Sequence, residues 1–172
     1  MKIFKKVLLA ILVLVSIVLL IASILPKTFH AGSEIMVNKN ASEVFKYVKQ
    51  VKKQGEYDIW SRQDPNIKKE YIGEDGTTGF TYIWKSEKVG NGKQIITKIE
   101  DGKRIEMDLF FNDSVDANKS YIAVDSIATN QSKVTWEING KIPFPFNLFT
   151  LFYDMKNDLK QGLANLKNNL EK

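Results

Sequence analysis

Ile105-Glu106-Met107-Asp108-Leu109-Phe110-Phe111 sets Ile, Met, Leu and Phe at every second position, with Glu, Asp and Phe between them. Successive side chains of a strand point to opposite faces, so this spacing makes one face apolar and leaves the other largely wet. Phe80, Tyr82 and Trp84 repeat the pattern upstream, and Val134, Trp136 and Ile138 repeat it downstream around Thr135 and Glu137. Glycine-containing breaks fall at Gly73 to Gly79, Gly90 to Gly92 and Asp101-Gly102, so Ile67 to Ile142 reads as an antiparallel meander. Around Ser120 to Ala128 both faces are mixed, Tyr121 and Ile127 against Ile122 and Val124, and the facing of this strand and of Asp125 stays open.

An apolar sheet face needs a second layer. Leu148, Phe152, Met155, Leu159, Leu163, Leu166 and Leu170 recur at steps of four and three, one stripe down about six helical turns at 3.6 residues per turn. Asn147 is the expected cap of this helix and Phe146 the expected staple onto Leu151. The Pro143-Phe144-Pro145-Phe146 loop then either closes the sheet edge or touches lipid with its aromatic side chains. Upstream, Ser33 to Val37 reads as a short strand. Asn40 caps a helix that carries Glu43 at its third position and Val44, Phe45 and Val48 on one face. Lys52 to Gln63 is irregular, and Asp64-Pro65-Asn66 is a turn.

From Val7 to Leu25 the chain runs nineteen residues without a charge, enough at about 1.5 Å per residue to cross the roughly 30 Å core of a bilayer. Lys2, Lys5 and Lys6 flank it on the N-terminal side, so the N-terminus is expected in the cytoplasm and Pro26 onward outside it, periplasmic or extracellular. A signal peptide has a shorter apolar stretch and a small-x-small cleavage site, which Ala22-Ser23-Ile24-Leu25-Pro26 supplies poorly. The expected organisation is an anchor over residues 1–26 and a single ligand-binding domain over residues 27–172.

Composition narrows the function. Three of the 25 basic residues belong to the anchor's flank, leaving 22 against 20 acidic ones, and no basic run interleaved with aromatics appears. That excludes a nucleic-acid partner. With no cysteine and a lone His30, disulfides and thiolate metal sites are excluded, a histidine-based zinc site is not expected, and no cofactor is expected. There is no Gly-x-Ser-x-Gly elbow, no phosphate loop and no His-Glu-x-x-His. Gly90-Asn91-Gly92 reads as hairpin chemistry because no helix follows it.

The order of strand, short helix, six-stranded meander and C-terminal helix resembles the helix-grip fold of the START and birch-pollen-allergen (SRPBCC) superfamily. Asn38 with Ala41-Ser42-Glu43-Val44-Phe45, Trp60-Ser61 before Asp64-Pro65-Asn66, Tyr71-x-Gly73, Gly90-x-Gly92, Lys133-Val134-Thr135-Trp136 and Gly162-Leu163-x-Asn165-Leu166-Lys167 are similar to the membrane-anchored bacterial branch called polyketide cyclase/dehydrase-like. The chain departs from that branch at Tyr57, where relatives carry further tryptophans nearby, and at the small Ala123. The resemblance implies an α+β domain in which a curved antiparallel sheet of about seven strands wraps a long helix, with a hydrophobic or amphipathic, lipid-like small molecule held between them. Its lining would come from Phe80, Tyr82 and Trp84, from Ile105, Met107, Leu109 and Phe111, from Val134, Trp136 and Ile138, and from Phe152, Met155 and Leu159 of the helix. The same residues would serve equally well as core. Two other readings stand beside ligand binding: a cyclase or dehydrase-like enzyme, for which Asp125 beside Tyr82 is the one candidate acid, and an interaction module with a filled interior.

Overall fold

The computed structural model describes residues 2–112 and 114–172. It forms two compact units, one of Met1–Phe29 with Lys141–Asp154 and one of His30–Gly140 with Met155–Lys172.

In the larger unit a seven-stranded sheet runs in the order β1-β7-β6-β5-β4-β3-β2. The strands are β1 (Thr28–Val37), β2 (Lys68–Ile72), β3 (Thr81–Lys85), β4 (Gly92–Glu100), β5 (Arg104–Phe111), β6 (Asn118–Ala128) and β7 (Gln131–Lys141). β2 to β7 pair antiparallel in sequence order, the expected meander. Register shifts at Ile96/Lys98 and Ser126/Ala128 mark irregularities of the kind that bend a strand. β1 begins at Thr28, five residues before the expected start, so between the apolar run that ends at Leu25 and this strand lie only Pro26 and Lys27.

The register resolves the strand whose facing the sequence left open. Ile122 sits opposite both Ile105 and Trp136, and Ser120 opposite Met107 and Ile138, so the even-numbered residues from Asn118 to Val124 face inward. Asp125 faces out and lies 3.7 Å from Lys133.

The helix α2 (Ala41–Val48) starts as expected: Asn40 accepts the Glu43 amide at 2.8 Å, and Val44, Phe45 and Val48 are buried. A 3-10 turn (Val51–Glu56) and the single-turn α3 (Trp60–Gln63) then lead into the meander. The C-terminal helix departs from expectation. It is α4, Met155–Leu170, and the residues before it form a separate 3-10 turn, Phe146–Leu151. Phe152 and Tyr153 both donate their amides to the Phe149 carbonyl, which closes that turn. Within α4 the leucine stripe holds: Leu159, Leu163, Leu166 and Leu170 are buried. Gly162 lets the helix approach, because a Cβ there would meet the Trp136 ring at 3.1 Å. Asn165 Nδ2 donates to the Tyr57 carbonyl at 3.0 Å and Lys167 Nζ to the Met36 carbonyl at 2.6 Å, so α4 lies over β7 and beside β1.

In the smaller unit, α1 (Lys2–Ile24) is long and apolar enough to cross a membrane and exposes nearly all its side chains. Asn147, fully buried, donates Nδ2 to the carbonyls of Ala22 at 2.7 Å and Leu25 at 3.2 Å. The asparagine read as the cap of the C-terminal helix thus satisfies the orphan carbonyls at the end of α1 instead.

Candidate functional site

One wall of the inner sheet face is a run of aromatic rings. Tyr71 stacks on Phe80 at 6.1 Å and on Tyr82 at 5.2 Å, Tyr82 meets Trp84 at 5.4 Å, and Trp84 meets Phe111 edge-on at 6.2 Å. Strand alternation builds this ladder: Phe80, Tyr82 and Trp84 share a face, and pairing sets Tyr71 opposite Tyr82. Gly92, opposite Trp84, leaves the indole its seat, since a Cβ at that position would stand 2.1 Å from the ring. Phe80 (1 %) and Tyr82 (9 %) are the buried middle of the ladder, Tyr71 and Trp84 flank them half-buried, and Phe111 (38 %) is its most open ring.

Polar groups face this wall from residues 51–66. The Asp58 carboxylate is buried and accepts the Ser61 amide at 2.6 Å and the Ser61 hydroxyl at 2.9 Å. Lys69 Nζ, reaching in from β2, donates to Ser61 Oγ at 3.3 Å and lies over Gly55, where a Cβ would stand 2.7 Å from it. Burial pushes the Asp58 carboxyl above the usual carboxylate range, against the Ser61 hydrogen bonds and the Lys69 charge that pull it down. Burial, then neighbouring Tyr71 and Asp58, raises the Tyr82 hydroxyl, while Ser61 works in the opposite direction. Tyr82 therefore stays a protonated donor beside a lysine cation and a serine hydroxyl. Such a set can hold a carbonyl, hydroxyl or acidic head while the rings take an apolar body.

Deeper in, Gln94 Nε2 donates to Gln54 Oε1 at 2.9 Å and sits 2.9 Å from Met107 Sδ. Tyr57 and Trp136 meet edge-to-face at 5.8 Å, and their hydroxyl and indole N–H are buried without a hydrogen-bond partner among the described residues.

The residues named from sequence divide into three groups. Phe80, Ile105, Met107, Val134, Trp136 and Leu159 are at most 1 % exposed and, with Leu109 and Ile138, pack as core. Tyr82, Trp84 and Phe111 belong to the ladder and its open end. Of the helix trio only Leu159 is buried: Met155 is half-buried at the first turn of α4, and Phe152, 85 % exposed, precedes the helix and lines no interior. The spacing of Phe152 continues the leucine stripe and so predicts an inward side chain, but the break before Met155 ends that periodicity. Asp125, the candidate acid, has a side chain 58 % exposed on the outer face and does not lie beside Tyr82. His30 is a surface residue hydrogen-bonded to Asn139. Sequence reasoning missed Asp58 and Lys69 as site residues, and met Ser61 only within a family motif. The one local signal was Asp58 three residues before Ser61, the spacing of a side chain that caps a turn.

The family described as polyketide cyclase/dehydrase and lipid transport matches residues 28–171. The chain belongs to that family. The family's description supports a ligand-binding module, and an aromatic wall faced by polar groups fits one. No sequence among curated proteins matches the chain significantly. Among solved structures, truncated norcoclaurine synthase from Thalictrum flavum is similar at 15 % identity and a TM-score of 0.62, covering 84 % of this chain and 95 % of its own. The Aha1 dimer from Colwellia psychrerythraea is similar at 12 % identity and a TM-score of 0.59, covering 83 % and 96 %. XoxI from Bacillus cereus gives 13 % identity and a TM-score of 0.56, covering 83 % and 96 %. Identities this low establish the shared fold and nothing about activity.

Proposed function

We propose that the protein is a membrane-tethered binding module that holds a hydrophobic or amphipathic, lipid-like molecule outside the cytoplasm, with residues 1–26 as the anchor and 27–172 as the ligand domain. The observation that carries the reading is the ladder Tyr71, Tyr82, Trp84 and Phe111, faced at Tyr82 by Ser61, which Asp58 and Lys69 hold: an apolar track with a polar patch matches a ligand that has both. The family's description and the complex of norcoclaurine synthase with dopamine and hydroxybenzaldehyde, both small aromatic molecules, support such a use of the fold. The tether rests on α1, and the orientation on Lys2, Lys5 and Lys6.

Solvent extraction and mass spectrometry of the full chain purified from its host test the ligand. A recurring lipid or isoprenoid, lost on Trp84→Ala, is expected. Repeated preparations with nothing bound would favour the other reading, an interaction module, which the tight packing of Ile105, Met107, Val134 and Trp136 supports. Protease digestion of intact cells tests orientation: cleavage of the domain from outside is expected, and full protection would refute it.

A further inference from the structure

The segment 141–154 belongs to the same compact unit as α1. From Lys141 to Tyr153 its only charge is Lys141, and Phe144, Phe146, Phe149, Leu151, Phe152 and Tyr153 are 45 to 85 % exposed. Phe146 and Phe149 stack nearly parallel, 3° between planes at 6.5 Å, which holds both rings on one surface. Soluble surfaces do not expose six large apolar side chains from one short stretch without a partner.

The position of this stretch identifies the partner. Asn147 Nδ2 binds the carbonyls of Ala22 and Leu25, and the Ile142 amide binds the Lys27 carbonyl, so the segment is fastened to the C-terminal end of α1. At 23 residues α1 spans about 34 Å at 1.5 Å per residue, slightly more than the roughly 30 Å hydrocarbon core. Its C-terminal end then lies at the headgroup boundary, the depth at which aromatic side chains gather in membrane proteins. We infer that residues 144–153 are an interfacial collar, seated in the lipid boundary with their rings among the upper acyl chains, and that Asn147 is the latch that fixes their depth. The inference rests on the reading of α1 as the anchor.

The chain has no cysteine, so single cysteines carry spin labels without competition. Labels are placed at Leu14→Cys, Phe152→Cys and Asp125→Cys in the full chain, reconstituted in vesicles of equal parts phosphatidylcholine and phosphatidylglycerol, and collisions with oxygen and with a water-soluble nickel chelate are compared. The oxygen-to-nickel ratio is expected to be highest at 14, lowest at 125, and at 152 several-fold above 125. Adding Asn147→Ala is expected to bring the ratio at 152 toward the aqueous value while 14 keeps its own. A label at 152 as aqueous as that at 125, with 14 deep, overturns the collar and leaves the anchor standing. An aqueous label at 14 refutes the anchor and the collar with it. A ratio at 152 unmoved by Asn147→Ala removes the latch from the inference.

Discussion

Replacing Gly92 by alanine sets two effects of known sign against each other. Gly92 opens β4 with an ordinary strand backbone, and there alanine is favoured over glycine through backbone entropy by no more than about 0.5 kcal/mol, the low end of the mid-strand range. Propensity alone therefore makes the substitution stabilising. The structure opposes it, because the added Cβ would lie 2.1 Å from Trp84 Cζ2 and 2.6 Å from Cε2 and Cη2, where carbon atoms rest about 3.5–4 Å apart. The indole is rigid and flanked by Tyr82 and Phe111, so it cannot yield the way a flexible side-chain tip does. Either the strands spread, an overpacking cost of about 1–3 kcal/mol, or the ring leaves and forfeits about as much burial. The net expectation is a destabilisation of about 0.5–3 kcal/mol. Urea unfolding of the full chain in detergent, followed by circular dichroism, measures it. In a Trp84→Ala background the same substitution meets no ring and should turn stabilising, a reversal that a double-mutant cycle isolates. A neutral or stabilising Gly92→Ala in the native background would refute the packing of Trp84 on β4, and with it the geometry of the ladder's open end.

Asp58→Asn tests the buried carboxyl through pH. Because the folded pKa is raised above the unfolded value of about 3.9, the carboxyl's stabilising contribution is complete below that value and is lost as pH rises through the folded pKa. The wild type should thus lose stability relative to Asp58→Asn as pH climbs through that window, and parallel urea midpoints for the two proteins would show that the carboxyl is not buried. Tyr57→Phe removes a hydroxyl that is buried without a partner, so it should stabilise the ligand-free protein by about 1–3 kcal/mol; a loss of that size, seen as a lowered urea midpoint, would mean the hydroxyl is satisfied in solution. Asp125→Asn removes one side of an exposed pair with Lys133 and should change stability by no more than about 0.5 kcal/mol, with bound-lipid content unaltered in extracted samples.

The parts legible in sequence were those written in local periodicity. Alternation placed Phe80, Tyr82 and Trp84 on one face, and likewise Ile105, Met107 and Leu109 and then Val134, Trp136 and Ile138, because each strand carries its own two-residue pattern. The Asn40 cap was readable for the same reason, its partner Glu43 lying three residues away. β6 was not readable: it is apolar on both faces along part of its length, and only pairing with Ile105 and Trp136 decides which side is buried. The break before Met155 was hidden because Leu148 and Phe152 fall at helical spacing without being helical. Their apolar character answers to a different surface, and Asn147 spends its side chain on α1. The group of Asp58, Ser61 and Lys69 was invisible because it joins residues from a turn, α3 and β2, and polar side chains without periodicity look alike until the chain is folded.

The inner face of the sheet has two covers, held by different kinds of contact. Over β7, α4 is held by Leu159, Leu163 and Leu166, each at most 1 % exposed, and at about 1.5–3 kcal/mol for each fully buried large side chain that cover is costly to lift. Over β2 to β4 the segment 51–66 is fastened by polar ties: Gln54 to Gln94, Lys69 to Ser61, Ser86 to Asp64, and the amides of Val51 and Lys52 to Asp75. Each such bond is worth about 1 kcal/mol net, because water replaces it on opening. The same segment also buries Val51 (2 % exposed) and Tyr57 (1 %), whose ring meets Trp136 edge-to-face at 5.8 Å, so the second cover is about as costly to lift whole as the first. Its polar ties fix where it lies over the ladder, and access to the rings falls to the exposed side chain of Phe111.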